Sequence, residues 1–84
     1  MTKTILLTVI APSVSLSMDI AAASIISADE LCHVCALWIE EKSQKRYAAH
    51  SGSILLRKRS HSVFLGTETL AERKVENNEI FYLF

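Results

Sequence analysis

Between Lys3 and Ile20 the chain reads KTILLTVIAPSVSLSMDI, and two runs within it alternate. Ile5, Leu7 and Val9 fall on one side of an extended backbone, with Thr4, Leu6 and Thr8 on the other. In the second run Val14, Leu16, Met18 and Ile20 share a side, opposite Ser15, Ser17 and Asp19. Successive side chains of a strand point to opposite faces, so a period of two with β-branched residues predicts two strands. Ala11-Pro12-Ser13 joins them as a turn, because Pro12 has no amide to give a ladder. So short a join makes an antiparallel hairpin, with one apolar face that needs a core and one mostly polar face that meets water.

Downstream the period changes. Ser27-Ala28-Asp29-Glu30 has the form of a capping box, in which the Ser27 hydroxyl accepts from the Glu30 amide and Glu30 reaches back to the Ser27 amide. Leu31, Val34/Cys35, Trp38 and Ile39 then recur at three and four, which predicts a helix to about Lys42 with these residues as its core stripe. Lys42, Lys45 and Arg46 suit its negative end. Ser43 to Gly52 is a polar connection, with Tyr47 placed to fold back onto the core. Ser53–Lys58 reads as a third strand, Arg57–Ser62 as a hairpin tip and Val63-Phe64-Leu65 as a short fourth strand closed by Gly66. Thr69 to Val75 is one turn of helix or a tight connection, and Asn77-Asn78 a turn. In the last strand, Ile80–Phe84, Phe81 and Leu83 share one face and Ile80, Tyr82 and Phe84 the other. The order ββαβββ predicts an α+β roll: a mixed sheet packed on one helix, its last strand parallel to its first.

At 84 residues there is room for one domain, residues 1–84, and one core. Half the residues are apolar and 21% are charged, which excludes intrinsic disorder. The nine basic and nine acidic residues cancel, so no nucleic-acid partner is expected. The charge is unevenly placed: residues 40–61 hold six positive and two negative groups, between acidic flanks. With Gly52, Gly66 and Pro12 as the only chain breakers, glycine-rich phosphate loops are excluded. No window approaches the roughly 20 apolar residues of a membrane helix, so no direct membrane insertion is expected. Lys3, the apolar run Ile5–Ile10 and Ala21-Ala22-Ala23 outline a secretory signal, but Thr8, Pro12, Asp19 and the alternation argue for a strand and a cytoplasmic protein.

Thr69-Leu70, Val75, Asn77-Asn78-Glu79, Phe81 and Leu83 resemble the closing third of the ubiquitin-like β-grasp fold: a leucine, a one-turn helix, an aliphatic residue, a polar turn and a final strand. In size, in Val63-Phe64-Leu65-Gly66 before Leu70, and in ending without a tail, the chain resembles the bacterial YukD-like group. That resemblance implies an accessory or regulatory cytoplasmic component of a type VII secretion system. Conjugated and sulfur-carrying relatives need a flexible Gly-Gly end, whereas Tyr82-Leu83-Phe84 lies in a predicted strand, so neither activity is expected.

The chemistry-bearing residues are sparse. Cys32-His33-Val34-Cys35 is a C-x-x-C, but Cys32 lies five residues past the Ser27 cap beside Asp29 and Glu30, which oppose a thiolate. Small apolar filler is the preferred reading, with Cys35 on the core face. Cys32, Cys35 and two of His33, His50 and His61 match no zinc spacing, and no metal or other cofactor is expected. His33 reads as a solvated helix residue and Trp38 as packing. Arg57, Lys58 and Arg59, with His61 nearby, form a possible basic patch, though solvated charge at a hairpin tip is the more common explanation.

The outward sheet faces say more. Leu6 and Ile10 on the first strand, and Ile80, Tyr82 and Phe84 on the last, predict a contiguous apolar surface of the kind that marks protein–protein contact. The chain therefore reads as a non-enzymatic, protein-binding module whose partner is another protein or a second copy. Two enzymatic settings compete: an auxiliary β-grasp subunit of a multicomponent monooxygenase, or a small redox protein using Cys32/Cys35. A phage or host-defence modulator is a third setting, which no residue selects.

Overall fold

The computed structural model describes residues 3–47 and 53–84. They form β1 (Thr4–Ala11), a short 3-10 turn (Pro12–Val14), β2 (Leu16–Ala23), α1 (Ala28–Lys42), β3 (Leu55–Arg57), β4 (Ser62–Phe64) and β5 (Glu79–Leu83). The sheet order is β2-β1-β5-β3-β4, with β5 parallel to β1 and antiparallel to β3. This is the expected ββαβββ mixed sheet with one helix, a β-grasp-like roll. His50 and Gly52 lie outside the described residues.

The hairpin pairs Ile5 with Ala22, Leu7 with Ile20, Val9 with Met18 and Ala11 with Leu16, so the alternation reads directly into one face. Val14 is not part of β2, as its alternation suggested. It closes the 3-10 turn, and Ser15 takes the left-handed conformation (φ 54°) that turns the chain back. β3 and β4 are shorter than expected, and Leu65 lies beyond β4 and is exposed.

The helix buries a different set of residues from the one its spacing predicted. Its buried face is Ala28, Leu31, Cys32, Cys35, Ala36 and Ile39, several of them small. Trp38, placed in the core stripe by its spacing, is 42% exposed. At 100° per residue the buried arc is centred near Cys35 and Ile39, and Trp38 falls outside it.

Only half of the expected capping box forms at the start of the helix. The Glu30 amide donates to Ser27 Oγ at 3.2 Å. Asp29 ties this end down instead: its Oδ1 accepts from the Gly66 amide at 2.8 Å, and its own amide donates to the Gly66 carbonyl at 3.0 Å. Gly66 has φ +103° with open space where a Cβ would stand, so backbone conformation, not room, demands glycine. A reciprocal box appears at Thr69, whose amide donates to Glu72 Oε1 (2.9 Å) while the Glu72 amide donates to Thr69 Oγ1 (3.1 Å).

β5 is held at both ends. The Leu6 amide donates to Asn77 Oδ1 at 2.9 Å, and the Asn78 amide donates to the Leu6 carbonyl at 2.7 Å. Asn78 is left-handed (φ 68°), as the Asn-Asn turn predicted. Beyond the strand, Ile54 and Phe84 exchange backbone hydrogen bonds at 3.0 and 2.9 Å, and the buried Tyr47 places its hydroxyl 3.2 Å from the Phe84 carbonyl. In the core beneath, Phe64 and Phe81 meet edge to face at 5.0 Å, with the Arg73 guanidinium 5.0 Å above Phe64.

Arg57 corrects the sequence reading. It is not a solvated member of a basic tip but a buried residue of β3. Its Nε and one terminal nitrogen each donate to a Glu79 oxygen at 2.6 Å, and its remaining donors reach the Arg73 and Lys74 carbonyls at 3.0 and 3.3 Å. Burial pushes the Glu79 carboxyl up. The Arg57 hydrogen bonds, the Glu76 amide and the charges of Arg57 and Arg59 outweigh it and hold the group below its ordinary 4.5. A carboxyl depressed by folding contributes stability above its unfolded value and loses it as pH falls through the folded one. Stability against urea should therefore begin to fall as pH drops below 4.5. Arg57→Ala, which strands the carboxylate, should cost about 3–5 kcal/mol at pH 7, and pairing Arg57→Met with Glu79→Leu should restore much of it.

Candidate protein-binding surface

The helix covers one side of the sheet, and the side chains that alternate away from it form the other side. Registers place these residues in rows across the strands. Ile10 lies beside Tyr82, Tyr82 beside Leu56 and Leu56 beside Val63, an unbroken apolar row across β1, β5, β3 and β4. Phe84 and Ile54 pair beyond it, and Leu65 follows β4 at that end. Val63, Leu65 and Phe84 are 43%, 49% and 48% exposed, and the rest are half-buried, so the rows form one open apolar surface.

Of the expected contact residues, Ile10, Ile80, Tyr82 and Phe84 come together here. Leu6 is exposed on the same face of β1, two residues from Thr8, whose hydroxyl donates to Asp19 at 2.8 Å. The surface is centred on β5 and β3 rather than on β1. Leu56, Val63, Ile54 and Leu65 complete it, and sequence reading missed their role. A strand three residues long offers too few alternations to show which face is outward, so only pairing to β5 reveals it.

Lys58 and Arg59 survive from the expected basic patch, without Arg57. With His61, Asn78, Glu79 and Ile80 they line an open groove of about 330 Å³ at the margin of the apolar rows. Arg59 is 3.3 Å from Glu76 and 4.0 Å from Glu79, whereas Lys58 has no ion pair among the described residues. The groove thus carries a modest positive rim.

Cys32 and Cys35 both lie on the buried face of α1. Both are buried free thiols, and the Cys32 Sγ donates to the Ser53 carbonyl at 3.3 Å. Burial and the charge of Asp29 push the Cys32 thiol up. Burial and neighbouring Cys32 push Cys35 up to about 12. A redox thiol needs the opposite shift. Among the described residues no cluster of three or more His, Cys, Asp or Glu could hold a metal ion, and no helix is long and apolar enough to cross a membrane.

The described residues thus combine a β-grasp-like roll, an uncovered apolar sheet face and two buried thiols. No protein-family model matches the chain, and no curated protein does. Solved structures do match. One is a chain of the toluene 4-monooxygenase HD complex with the inhibitor 4-bromobenzoate, at a TM-score of 0.75 and 17% identity over 96% of both chains. At that identity the likeness establishes the shared fold.

The thiol geometry has a direct consequence. Alkylation by iodoacetamide at pH 8, followed by mass spectrometry, should label the native protein at least about tenfold more slowly than the urea-unfolded chain.

Proposed function

We propose that this chain is a non-catalytic, non-conjugating subunit of a multicomponent monooxygenase, docking on a larger component through the outer face of its sheet. The observation that carries this reading is the row Ile10–Tyr82–Leu56–Val63, an apolar band left uncovered on a small domain. Exposed contiguous apolar surface of this kind is characteristic of interaction sites. The monooxygenase setting is supported by the neighbour: a chain nearly coextensive with this one belongs to the toluene 4-monooxygenase HD complex. In this reading the domain contributes to the form and stability of the assembly. Accessory service in type VII secretion, implied by the YukD-like resemblance, draws no support from these comparisons.

Co-expression with multicomponent monooxygenase components from the same source organism tests the proposal. The chain should co-elute with a hydroxylase component in stoichiometric amount. Val63→Asp and Tyr82→Ser should each weaken that association at least tenfold, about 1.4 kcal/mol or more, with an unchanged far-UV circular dichroism spectrum. Association indifferent to both sheet variants, or capture of secretion components in place of an oxygenase, would overturn it.

A further inference from the structure

The two edges of the sheet are built differently. β4, at one edge, is three residues long and is entered from a tip that carries Lys58, Arg59 and His61. Short strands and cations are what keep an edge from pairing with another chain. β2, at the other edge, is eight residues long and contains no lysine, arginine or proline. The ladder to β1 fixes which of its backbone groups are left over. The Ser24 amide donates to the Lys3 carbonyl at 2.7 Å, in step with the register that pairs Ala23 with Thr4. Hydrogen-bonded pairs alternate along an antiparallel ladder, so the even residues of β2 turn their amides to β1 and Ser17, Asp19 and Ala21 turn theirs outward. Among the described residues no loop or turn hydrogen bond reaches those three backbones, and all three residues are exposed. A free row of amides and carbonyls takes one kind of occupant, an extended segment with a matching row.

We propose that this occupant is β2 of a second copy, paired antiparallel about a twofold axis at Met18. Outward residues must face outward residues, and the chain itself selects among the possible axes. At Ile20 or Ala21 the ladder would need the Ala23 carbonyl, which already accepts from the Ile26 amide at 3.0 Å. At Asp19 two carboxylates would stand directly opposite, and like charges there are destabilising. At Ser17 the ladder would run into Ser15, whose left-handed backbone (φ 54°) leaves the strand. At Met18 each Ser17 faces the Asp19 of the other copy. One oxygen of that carboxylate accepts from the Thr8 hydroxyl at 2.8 Å, and the other is placed to accept from Ser17. On the helix side Met18 meets Met18 and Leu16 meets Ile20. Leu16 and Met18 are half-buried against the margin of the core, so the join continues the core from one copy to the next. β1 separates this edge from β5, β3 and β4, so the proposal stands independently of the monooxygenase reading.

Sedimentation velocity of the whole chain across a concentration series tests the proposal. The protein should pass reversibly from monomer to dimer. Ser17→Pro removes an outward amide and leaves the ladder to β1 alone, so it should abolish the dimer with an unchanged far-UV circular dichroism spectrum. Ser17→Asp sets a second carboxylate against Asp19 and should weaken the dimer about tenfold, the contact being made twice. Met18→Cys should cross-link under mild oxidation, because partners in a non-hydrogen-bonded pair stand about 4.5 Å apart, within reach of a disulfide. Ala21→Cys, away from the axis, should not. Val63→Asp and Tyr82→Ser should change neither readout. A chain still monomeric at about 1 mM would overturn the proposal. So would a dimer indifferent to both Ser17 variants, cross-linking at Ala21 in preference to Met18, or a dimer lost with Val63→Asp, which would place the contact on the outer sheet face.

Discussion

The parallel register of β5 on β1 governs the rest of the molecule. Val9 stands beside Phe81 and Ile10 beside Tyr82, which sends Phe81 and Leu83 to the core and Tyr82 to the outer face. A slip of one residue would exchange these faces. Two fully buried apolar side chains would then meet water, and truncating such residues typically costs 2–5 kcal/mol each. The apolar row on the outer face would vanish in the same movement, because Tyr82 joins Ile10 to Leu56. Core and binding surface are thus two consequences of one alignment.

Several contacts around β5 hold that alignment by geometry more than by strength. The Asn77 and Asn78 contacts to Leu6 fix its entry, while the Ile54 and Tyr47 contacts to Phe84 fix the far end. The Arg57–Glu79 pair does the same from β3. Buried ion pairs bring little net stability, since desolvation cancels much of their attraction. What this pair supplies is specificity. The guanidinium fork satisfies both Glu79 oxygens and the Arg73 and Lys74 carbonyls at once, and only one placement of β3 against β5 permits that. A leucine there would pack over a range of offsets.

Much of this architecture was legible because alternation and capping are local. Residues 3–20 announced a hairpin, Ser27 announced a helix start, and the alternation of Ile80–Phe84 announced its own pairing. The misreadings arose where partners are distant in sequence. Arg57 beside Lys58 and Arg59 looks like one more surface cation until Glu79, 22 residues away, is brought against it. Trp38 looked like core because it continues the three-and-four spacing, yet the buried arc is centred near Cys35 and Ile39 and leaves Trp38 just beyond its edge. Of the binding surface, β1 and β5 were readable from their long alternations. The share contributed by β3 and β4 was not, because short strands take their facing from their neighbours.

The uncovered faces follow from the same geometry. A sheet covered on one side by a single helix leaves its other side bare, and the helix buries only the arc that faces the sheet. In a larger domain further layers would cover both. Here 84 residues suffice for one core layer, so each layer keeps an outer face. The chain has filled those faces unequally. β2 turns Ser17 and Asp19 outward, as a solvated surface should, while β5, β3 and β4 turn Tyr82, Leu56 and Val63 outward. Apolar residues concentrated on β5, β3 and β4, with polar ones on the edge strand β2, are poorly explained by the domain's own stability, since none of them adds to its core. They are well explained by a surface that a partner completes.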